Sequence, residues 1–306
     1  MVNKVINCYY NKSSSGVGDF LRGCCHLFNT LNEENVDFEF SFQHHDLSEH
    51  IKSKCTINVN ENEIFDTEDT NKEKCDIHNY FDNMEHNLNE CLNSDRDQIF
   101  IFSNYSYHIL NTEKYFLSED CKNFMQSNLI FSNDIEKTFN DLDTKDYNVI
   151  HFRLGDRECC QHIAKSELDR YNLNTALFDI DYKTLTRKIT NYYLSSSPIL
   201  GEEKTLLVLS DSNDFKHYAE KFFKDTTYNI RIVHTKSQHT SDNPGSIDVL
   251  DIDRQIKKDN MYYVVLDMKI ISMSNQLRTY SVYPWGSGFS FWLARIFDIP
   301  IEQNSV

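Results

Sequence analysis

The sequence lacks any long apolar run. No stretch of it approaches the ~18 apolar residues that a membrane-spanning helix requires, and its N-terminus has no apolar core of a signal peptide. It also carries no lipidation signal. These absences predict a soluble protein of the cytoplasm, or a soluble domain of a larger protein, without stable membrane insertion.

Positive charge is scarce as well. The 306 residues include 31 Lys and Arg against 47 Asp and Glu, so the formal net charge is -16. We therefore expect no nucleic-acid partner, because a phosphate backbone requires a basic surface. Any anionic ligand would need local cations that act against the overall field of the protein.

The spacings of disulfide frameworks and zinc sites are also missing. The 9 cysteines are an odd number without a framework pattern, so we expect reduced thiols. The adjacent pairs Cys24-Cys25 and Cys159-Cys160 lack the Cys-x2-Cys spacing of a zinc site, and we interpret them as small buried residues. The sequence therefore predicts no metal site.

The most informative segment that is present ends an apolar run. The run stops at His151, Arg153, Gly155 and Asp156. An arginine offers a planar fork of donors, and a glycine lets the backbone approach a ligand closely. Ligands of open α/β sheets bind beyond the carboxyl ends of strands, so this segment predicts a phosphate site. The alternative is a surface arginine that follows a buried strand.

A second candidate lies near the N-terminus, where a strand at 2–10 is followed by a polar loop. Gly16 and Gly18 belong to this loop, and Asp19 begins a helix. Free N–H groups at the start of such a helix accept anionic or hydroxyl-rich ligands. The loop lacks the third glycine of a dinucleotide-binding motif and the Lys-Ser/Thr of a P-loop, so we reject both of those functions.

A third candidate follows a buried strand at 205–209. Ser210 and Asp211 come directly after it, where a carboxylate suits ribose hydroxyls or base N–H groups. The alternative is that the carboxylate caps the next helix, predicted at 214–224. The apolar stripe predicted for that helix consists of Phe215, Tyr218, Ala219, Phe222 and Phe223.

The last candidates lie toward the C-terminus. Asp267 interrupts an apolar stretch at 262–274, and a Gly-Ser-Gly turn later opens an apolar helix. Hydroxyl, backbone N–H and helix dipole at such a turn can hold a phosphate, and they can also simply cap the helix. The residues at the start of this helix are Ser287, Gly288, Phe289 and Ser290.

In this order, the segments resemble the motifs of the HxRxGD-type fucosyltransferase superfamily, which joins α1,2-, α1,6- and protein-O-fucosyltransferases. The likeness is strong over roughly residues 148–300, and before them it is limited to the glycine loop. The sequence departs from many members at Asp19, where they have Asn, and at Leu154, where they have a second arginine. The matching residues are Gly16 to Asp19, His151 to Asp156, Ser210, Asp211, Asp267, Ser272 and Ser287 to Ser290.

The resemblance implies an α/β fold of the GT-B type, with two Rossmann-like domains that face each other across a cleft. Residues 1–147 would form the acceptor-side domain, and residues 148–306 would bind the nucleotide sugar. The acidic stretch at 58–90 predicts an exposed excursion with short helices. The strands predicted for the second domain are at 148–152, 205–209, 229–233 and 262–266.

The resemblance further implies an inverting, metal-independent glycosyltransferase that needs no cofactor. It would transfer L-fucose from GDP-fucose, its donor substrate, to the hydroxyl of a glycan acceptor. The alternatives are a GT-B enzyme that uses another nucleotide sugar and a non-catalytic protein that binds nucleotides or sugars.

Individual roles carry over to single residues. Arg153 would contact the β-phosphate, and Ser210 and Asp211 would lie near the nucleoside. Asp19 is the candidate general base on separate grounds, because it starts a helix at the expected cleft, and the alternative is a helix cap. The other positions implied at the donor site are Gly16, Gly18, His151, Gly155, Asp156, Asp267, Ser287, Gly288, Phe289 and Ser290.

Overall fold

A computed structural model describes most of the chain. The described residues form two compact units, one that ends at Asp134 and one that begins at Ile135. The expected division of roles between residues 1–147 and 148–306 stays a prediction. The described residues are 2–11, 16–58, 74–77, 88, 92–93, 95, 97–103, 117–154, 181–196, 205–235, 251–282 and 286–306.

The first unit is built on a parallel sheet with the strand order β2-β1-β5-β4. A short antiparallel pair, β3 with β6, adds a second small sheet. The strands are β1 (Lys4–Tyr10), β2 (Asp37–His44), β3 (Ile51–Lys52), β4 (Lys74–Ile77), β5 (Gln98–Ser103) and β6 (Ile130–Phe131). The helices are α1 (Val17–Glu33), a 3-10 turn (Asp46–Glu49) and α2 (Glu119–Asn128).

Aromatic rings hold α1 against this sheet. Phe20 of α1 stacks on Tyr9 of β1 at 4.7 Å and meets Phe42 of β2 edge-on at 5.5 Å. Cys24 and Cys25, on the same helix, are buried, and burial raises the pKa of both thiols. They act as small core residues, as the sequence predicts.

The second unit contains the longer parallel sheet. Its helices are α3 (Asn133–Asp141), α4 (Tyr182–Ser196), α5 (Asn213–Phe223), α6 (Asp251–Ser272) and α7 (Gly288–Ile296). Its strands are β7 (Tyr147–Arg153), β8 (Thr205–Ser210), β9 (Ile230–Ile232), β10 (Leu277–Ser281) and β11 (Ile301–Ser305).

The strand order of this sheet is β11-β10-β7-β8-β9, and every pair is parallel. The chain moves outward from β7 in one direction through β8 and β9, and later in the other direction through β10 and β11. The order therefore reverses between β7 and β10, and such a point is where doubly wound sheets bind ligands. Register pairs Arg153, the last residue of β7, with Ser281, the last residue of β10.

A continuous apolar core fixes this sheet to its helices. Phe152 of β7 stacks on Tyr280 of β10 with ring centroids 5.3 Å apart and contacts Phe215 of α5 at 4.9 Å. Because alternate residues of a strand point to opposite faces, burial of Phe152 directs His151 and Arg153 away from this cluster.

One predicted strand is wrong. Residues 262–266 lie inside α6, and the sheet instead contains β10 and β11, which the sequence analysis did not predict. The run Tyr-Tyr-Val-Val-Leu is apolar because α6 is buried on much of its surface, including Val264, Val265 and Leu266. A short apolar run alone does not separate a buried helix from a buried strand.

Two smaller expectations also need correction. Within 58–90, the described residues include β4, which lies at the edge of the first sheet. An edge strand pairs on one side only, so an acidic stretch with few apolar residues can supply it. On α5, Tyr218 and Phe222 are exposed, and the buried stripe includes Lys216 in their place.

The other predicted strands, at 148–152, 205–209 and 229–233, are confirmed as β7, β8 and β9. Among the described residues, no helix combines the length and the apolar content needed to cross a bilayer.

Candidate functional site

Arg153 and Asp211 meet at the carboxyl edge of the second sheet. Arg153 ends β7, Asp211 follows β8, and the guanidinium Nη1 donates a hydrogen bond to Oδ2 of the carboxylate. The other oxygen, Oδ1, accepts the backbone N–H of Leu154 at 2.8 Å. The Asp211 side chain is 7% exposed and that of Arg153 is 19% exposed. Asp211 thus fixes both the guanidinium and the backbone that carries it.

Ser210 tightens the same corner. Its hydroxyl donates to the carbonyl of Phe152 at 3.0 Å and accepts the N–H of Ser212 at 3.1 Å. Ser212 in turn caps α5, since its hydroxyl accepts the N–H of Phe215 at 3.2 Å. The cap of α5 is therefore Ser212. The alternative that Asp211 caps this helix is wrong, because its carboxylate binds Arg153 and the backbone of Leu154.

The start of α7 is tied to β7 by a hydrogen bond between side chains. Nδ1 of His151 lies 2.5 Å from Oγ of Ser290, and Oγ of Ser290 lies 3.3 Å from Oγ of Ser287. Ser287 caps the helix by accepting the N–H of Ser290 at 3.4 Å. By helix geometry, the amides of Gly288 and Phe289 have no intrahelical acceptor. The capping alternative is correct for Ser287. The cap accepts the N–H of Ser290, so the amides of Gly288 and Phe289 are not used by it.

Gly286 sets the direction in which the chain enters α7. Its φ is +79°, in the left-handed region that side chains disfavour. A Cβ at this position would also lie 2.7 Å from Nε2 of Gln303. The Gly-Ser-Gly turn of the sequence therefore needs its first glycine for backbone reasons.

His151 is neutral over the physiological pH range. Burial, together with the charges of Arg153 and Lys216, lowers the pKa of His151 to about 3. A neutral imidazole can share one proton with the Ser290 hydroxyl in either direction. His151 therefore joins β7 to α7 without adding charge beside Arg153.

Lys216 is a buried cation that the sequence analysis missed. It lies on the inner stripe of α5, is 1% exposed, and its Nζ donates to the carbonyl of Thr235. The hydroxyl of Thr235 lies 3.2 Å from Oδ2 of Asp267, which is buried on α6. Asp267 thus supports the segment that follows β9. The helical spacing of Lys216, Ala219 and Phe223 is the signal that reveals this position.

The glycine-loop residues lie in the first unit. Gly16 is the N-cap of α1, and Gly18 is buried in its first turn. Asp19 is the third residue of the helix, so the capping alternative is wrong for it. Its carboxylate instead forms an ion pair with Arg22 at 2.9 Å.

The structure brings five of the expected positions together in the second unit. Side-chain hydrogen bonds join them in two groups, and β7 links the groups because it carries both His151 and Arg153. Gly155 and Asp156 lie outside the described residues. The residues gathered at this edge are His151, Arg153, Asp211, Ser287 and Ser290. Ser210 is adjacent through β8.

Comparison by sequence gives no match to a protein-family model and none to a curated protein. Solved structures do match along nearly the whole chain. The NodZ alpha-1,6-fucosyltransferase soaked with GDP-fucose is 12% identical, with a TM-score of 0.51 over 98% of this chain and 94% of that one. The fucosyltransferase NodZ from Bradyrhizobium is 11% identical, with a TM-score of 0.51 over 96% and 92%.

An Arabidopsis thaliana FUT1 mutant in complex with GDP gives a TM-score of 0.54 at 10% identity, over 99% of this chain and 70% of that one. The chain shares the fold of these GT-B fucosyltransferases. The expected α/β fold of the GT-B class is thereby confirmed.

Proposed function

We propose that this chain is an inverting glycosyltransferase that transfers L-fucose from GDP-fucose to the hydroxyl of a glycan. The shared fold supports the class, and of the similar structures the NodZ enzyme was soaked with GDP-fucose and the FUT1 mutant is in complex with GDP.

The fixed guanidinium of Arg153 carries the proposal. It stands at the carboxyl end of β7, beside the point where the strand order reverses. Asp211 holds it before any donor binds, so little free energy is spent on ordering the side chain in the transition state. A planar fork of N–H donors matches two oxygens of a phosphate better than a lysine does.

The start of α7 supplies a second set of donors. The amides of Gly288 and Phe289 and the positive end of the helix dipole favour an anion. The hydrogen bond between His151 and Ser290 fixes this helix start relative to the strand that carries Arg153. Both phosphate-binding elements are therefore attached to β7.

The reaction follows from this arrangement. An acceptor hydroxyl attacks C1 of the fucose while the bond between C1 and the β-phosphate oxygen breaks, which inverts the configuration at C1. Negative charge grows on the β-phosphate, and Arg153 with the α7 amides stabilises it. Asp19 of the first unit is the proposed general base that takes the proton of the hydroxyl, a role worth typically ~10²–10⁴-fold in rate.

The overall charge of the protein makes these local cations more important. The formal net charge is -16, and the donor is an anion too. Lys216 adds a second positive charge close enough to lower the pKa of His151. Because Asp211 neutralises part of the charge of Arg153, the buried charge of Lys216 is needed to reduce the repulsion of an anionic nucleotide at this corner.

A panel of nucleotide sugars tests the proposal. Thermal stability and turnover are measured with GDP-fucose, GDP-mannose, UDP-glucose and free GDP, in the presence of a glycan library. Stabilisation and turnover with GDP-fucose support it. Turnover with a different donor establishes the alternative glycosyltransferase, and binding without transfer or donor hydrolysis establishes the non-catalytic alternative.

A further inference from the structure

Three side chains of types that ligate metals meet on the surface of the second unit, and the proposed reaction uses none of them. His217 and Glu220 lie on α5, and His234 follows β9. A spacing of three residues places His217 and Glu220 on the same face of the helix. The sequence analysis did not pair them with His234 because β9 separates them along the chain.

The ligand atoms of these three residues are close enough that small side-chain rotations would bring them around one metal ion. Nε2 of His234 lies 3.2 Å from Oε1 of Glu220, and the two imidazole rings are 5.5 Å apart with 32° between their planes. One ligand atom from each residue lies within 4.8 Å of the others. A tetrahedral zinc ion places its ligands roughly 3.4 Å apart. All three side chains are exposed, so they can rotate without repacking a core.

We propose that His217, Glu220 and His234 bind a zinc ion with a water molecule at the fourth position. Two imidazoles and one carboxylate suit zinc, whereas magnesium and calcium prefer oxygen ligands. This proposal does not depend on the proposed transferase function.

The position of the cluster indicates what the ion does. Lys216 and Thr235 join α5 to the segment after β9 from the buried side. His217 and His234, their immediate neighbours, face each other on the exposed side. A zinc ion therefore adds an outer cross-link parallel to the buried one and stabilises the loop between α5 and the end of β9.

The test uses the full chain after treatment with a chelator. Zinc affinity is measured by competition with a chromophoric chelator, and thermal stability is measured with zinc or magnesium added. We expect one zinc ion at this site, a higher Tm with zinc, and no change with magnesium. His217→Ala, His234→Ala and Glu220→Gln should each weaken zinc binding at this site by at least about tenfold.

His50→Ala is the matched control, because His50 is a partly exposed histidine of the first unit and lies outside the cluster. It should keep the zinc affinity and the zinc-dependent rise in Tm. If His217→Ala/His234→Ala binds zinc as tightly as the wild type and gains the same Tm, the proposal is overturned.

Cobalt(II) in the unsubstituted chain gives a second readout that does not depend on the folding of any variant. The expected spectrum is that of a four-coordinate ion with nitrogen and oxygen ligands. A strong thiolate-to-cobalt band in its place would assign the metal to cysteines and would also overturn the proposal.

Discussion

Arg153 is held in place by Asp211, which follows a neighbouring strand, and its contribution to the proposed reaction can be measured by substitution. Arg153→Ala should lower kcat by about 10²–10³-fold, because roughly 3–4 kcal/mol of stabilisation of the leaving phosphate is lost. Arg153→Lys should not restore the rate, since a single ammonium does not reproduce the fork. Steady-state kinetics with GDP-fucose measure both effects.

Arg231→Ala is the control for the loss of an arginine. Arg231 is exposed and donates to the carbonyl of Leu142 within the same unit. Its replacement should leave kcat unchanged. Full activity in Arg153→Ala would remove the central claim of the proposed mechanism.

His151 makes a second prediction at this scale, through pH. Its folded pKa of about 3 lies below the usual value of about 6.5, so the unfolded chain takes up a proton first as the pH falls. The stability due to neutral His151 is complete above about pH 6.5 and is lost progressively toward pH 3. Between pH 7.5 and pH 5, linkage gives a loss of about 2 kcal/mol.

His151→Asn should therefore show a smaller loss of unfolding free energy between these two pH values than the wild type. Urea titrations at pH 7.5 and pH 5 give the comparison. His26 contributes equally to both proteins, because burial also lowers its pKa, to about 4. Equal pH dependence of the two proteins would show that His151 is not held neutral by the fold.

Some residues of the site are readable from the sequence and others are not. Arg153, Ser210 and Ser287 stand where an apolar run ends or a helix starts, and such positions follow from local pattern. Lys216 was missed because lysine is almost never fully buried unless it is paired. Its partner, the carbonyl of Thr235, becomes visible only once β9 brings that segment beside α5.

The first turn of α7 gives a prediction at the scale of an element. Ser287→Ala removes the cap, which should cost about 1 kcal/mol of stability and also misplace the Gly288 and Phe289 amides. GDP affinity should fall several-fold as a result. Isothermal titration with GDP and thermal unfolding together separate the two effects.

Ser118 provides the matched control for this change. It caps α2 in the first unit, where its hydroxyl accepts the N–H of Cys121 at 3.2 Å. Ser118→Ala should lose a similar amount of stability and keep its GDP affinity. Equal affinity losses in both variants would mean that the Ser287 effect is only general destabilisation.

Among the elements, the strands with continuous apolar runs were predictable and β10 was not. β7 and β8 are buried on both faces, and each carries a recognisable apolar run, Val-Ile in β7 and Leu-Leu-Val-Leu in β8. β10 reads Leu-Arg-Thr-Tyr-Ser, and its buried Thr279 and Ser281 give no apolar run to recognise. The apolar residues 262–266 of α6 were predicted to be a strand instead.

Binding of GDP should slow hydrogen exchange mainly in the second unit of the molecule. With saturating GDP, hydrogen exchange should slow at residues 151–154, 210–211 and 287–290, and in the first unit mainly at 16–19. The expected cause is that the phosphate and nucleoside contacts lie at strand and helix ends of the second unit. Protection concentrated at 38–42 and 98–103 instead would mean that the roles of the two halves are reversed.

Chelation tests the proposed reaction in the full chain. Transfer should persist in EDTA, because Arg153 and backbone amides are proposed to stabilise the leaving phosphate. Assays with and without added Mg²⁺ or Mn²⁺ decide the point. A loss of turnover that Mg²⁺ or Mn²⁺ restores would contradict the proposed mechanism. A fall in Tm that only zinc reverses would instead report on the proposed zinc site of His217, Glu220 and His234.

The reversal of strand order at β7 also determines when this protein can finish folding. β7 is buried along almost its whole length, yet one of its two neighbours, β10, begins only at Leu277. While the chain is being synthesised, β7 and β8 emerge first and present an apolar, unpaired edge to other chains. The proposed phosphate-binding corner, which also needs α7, is thus completed only after α7 has been synthesised, and nascent chains that stop before β10 should aggregate without binding GDP.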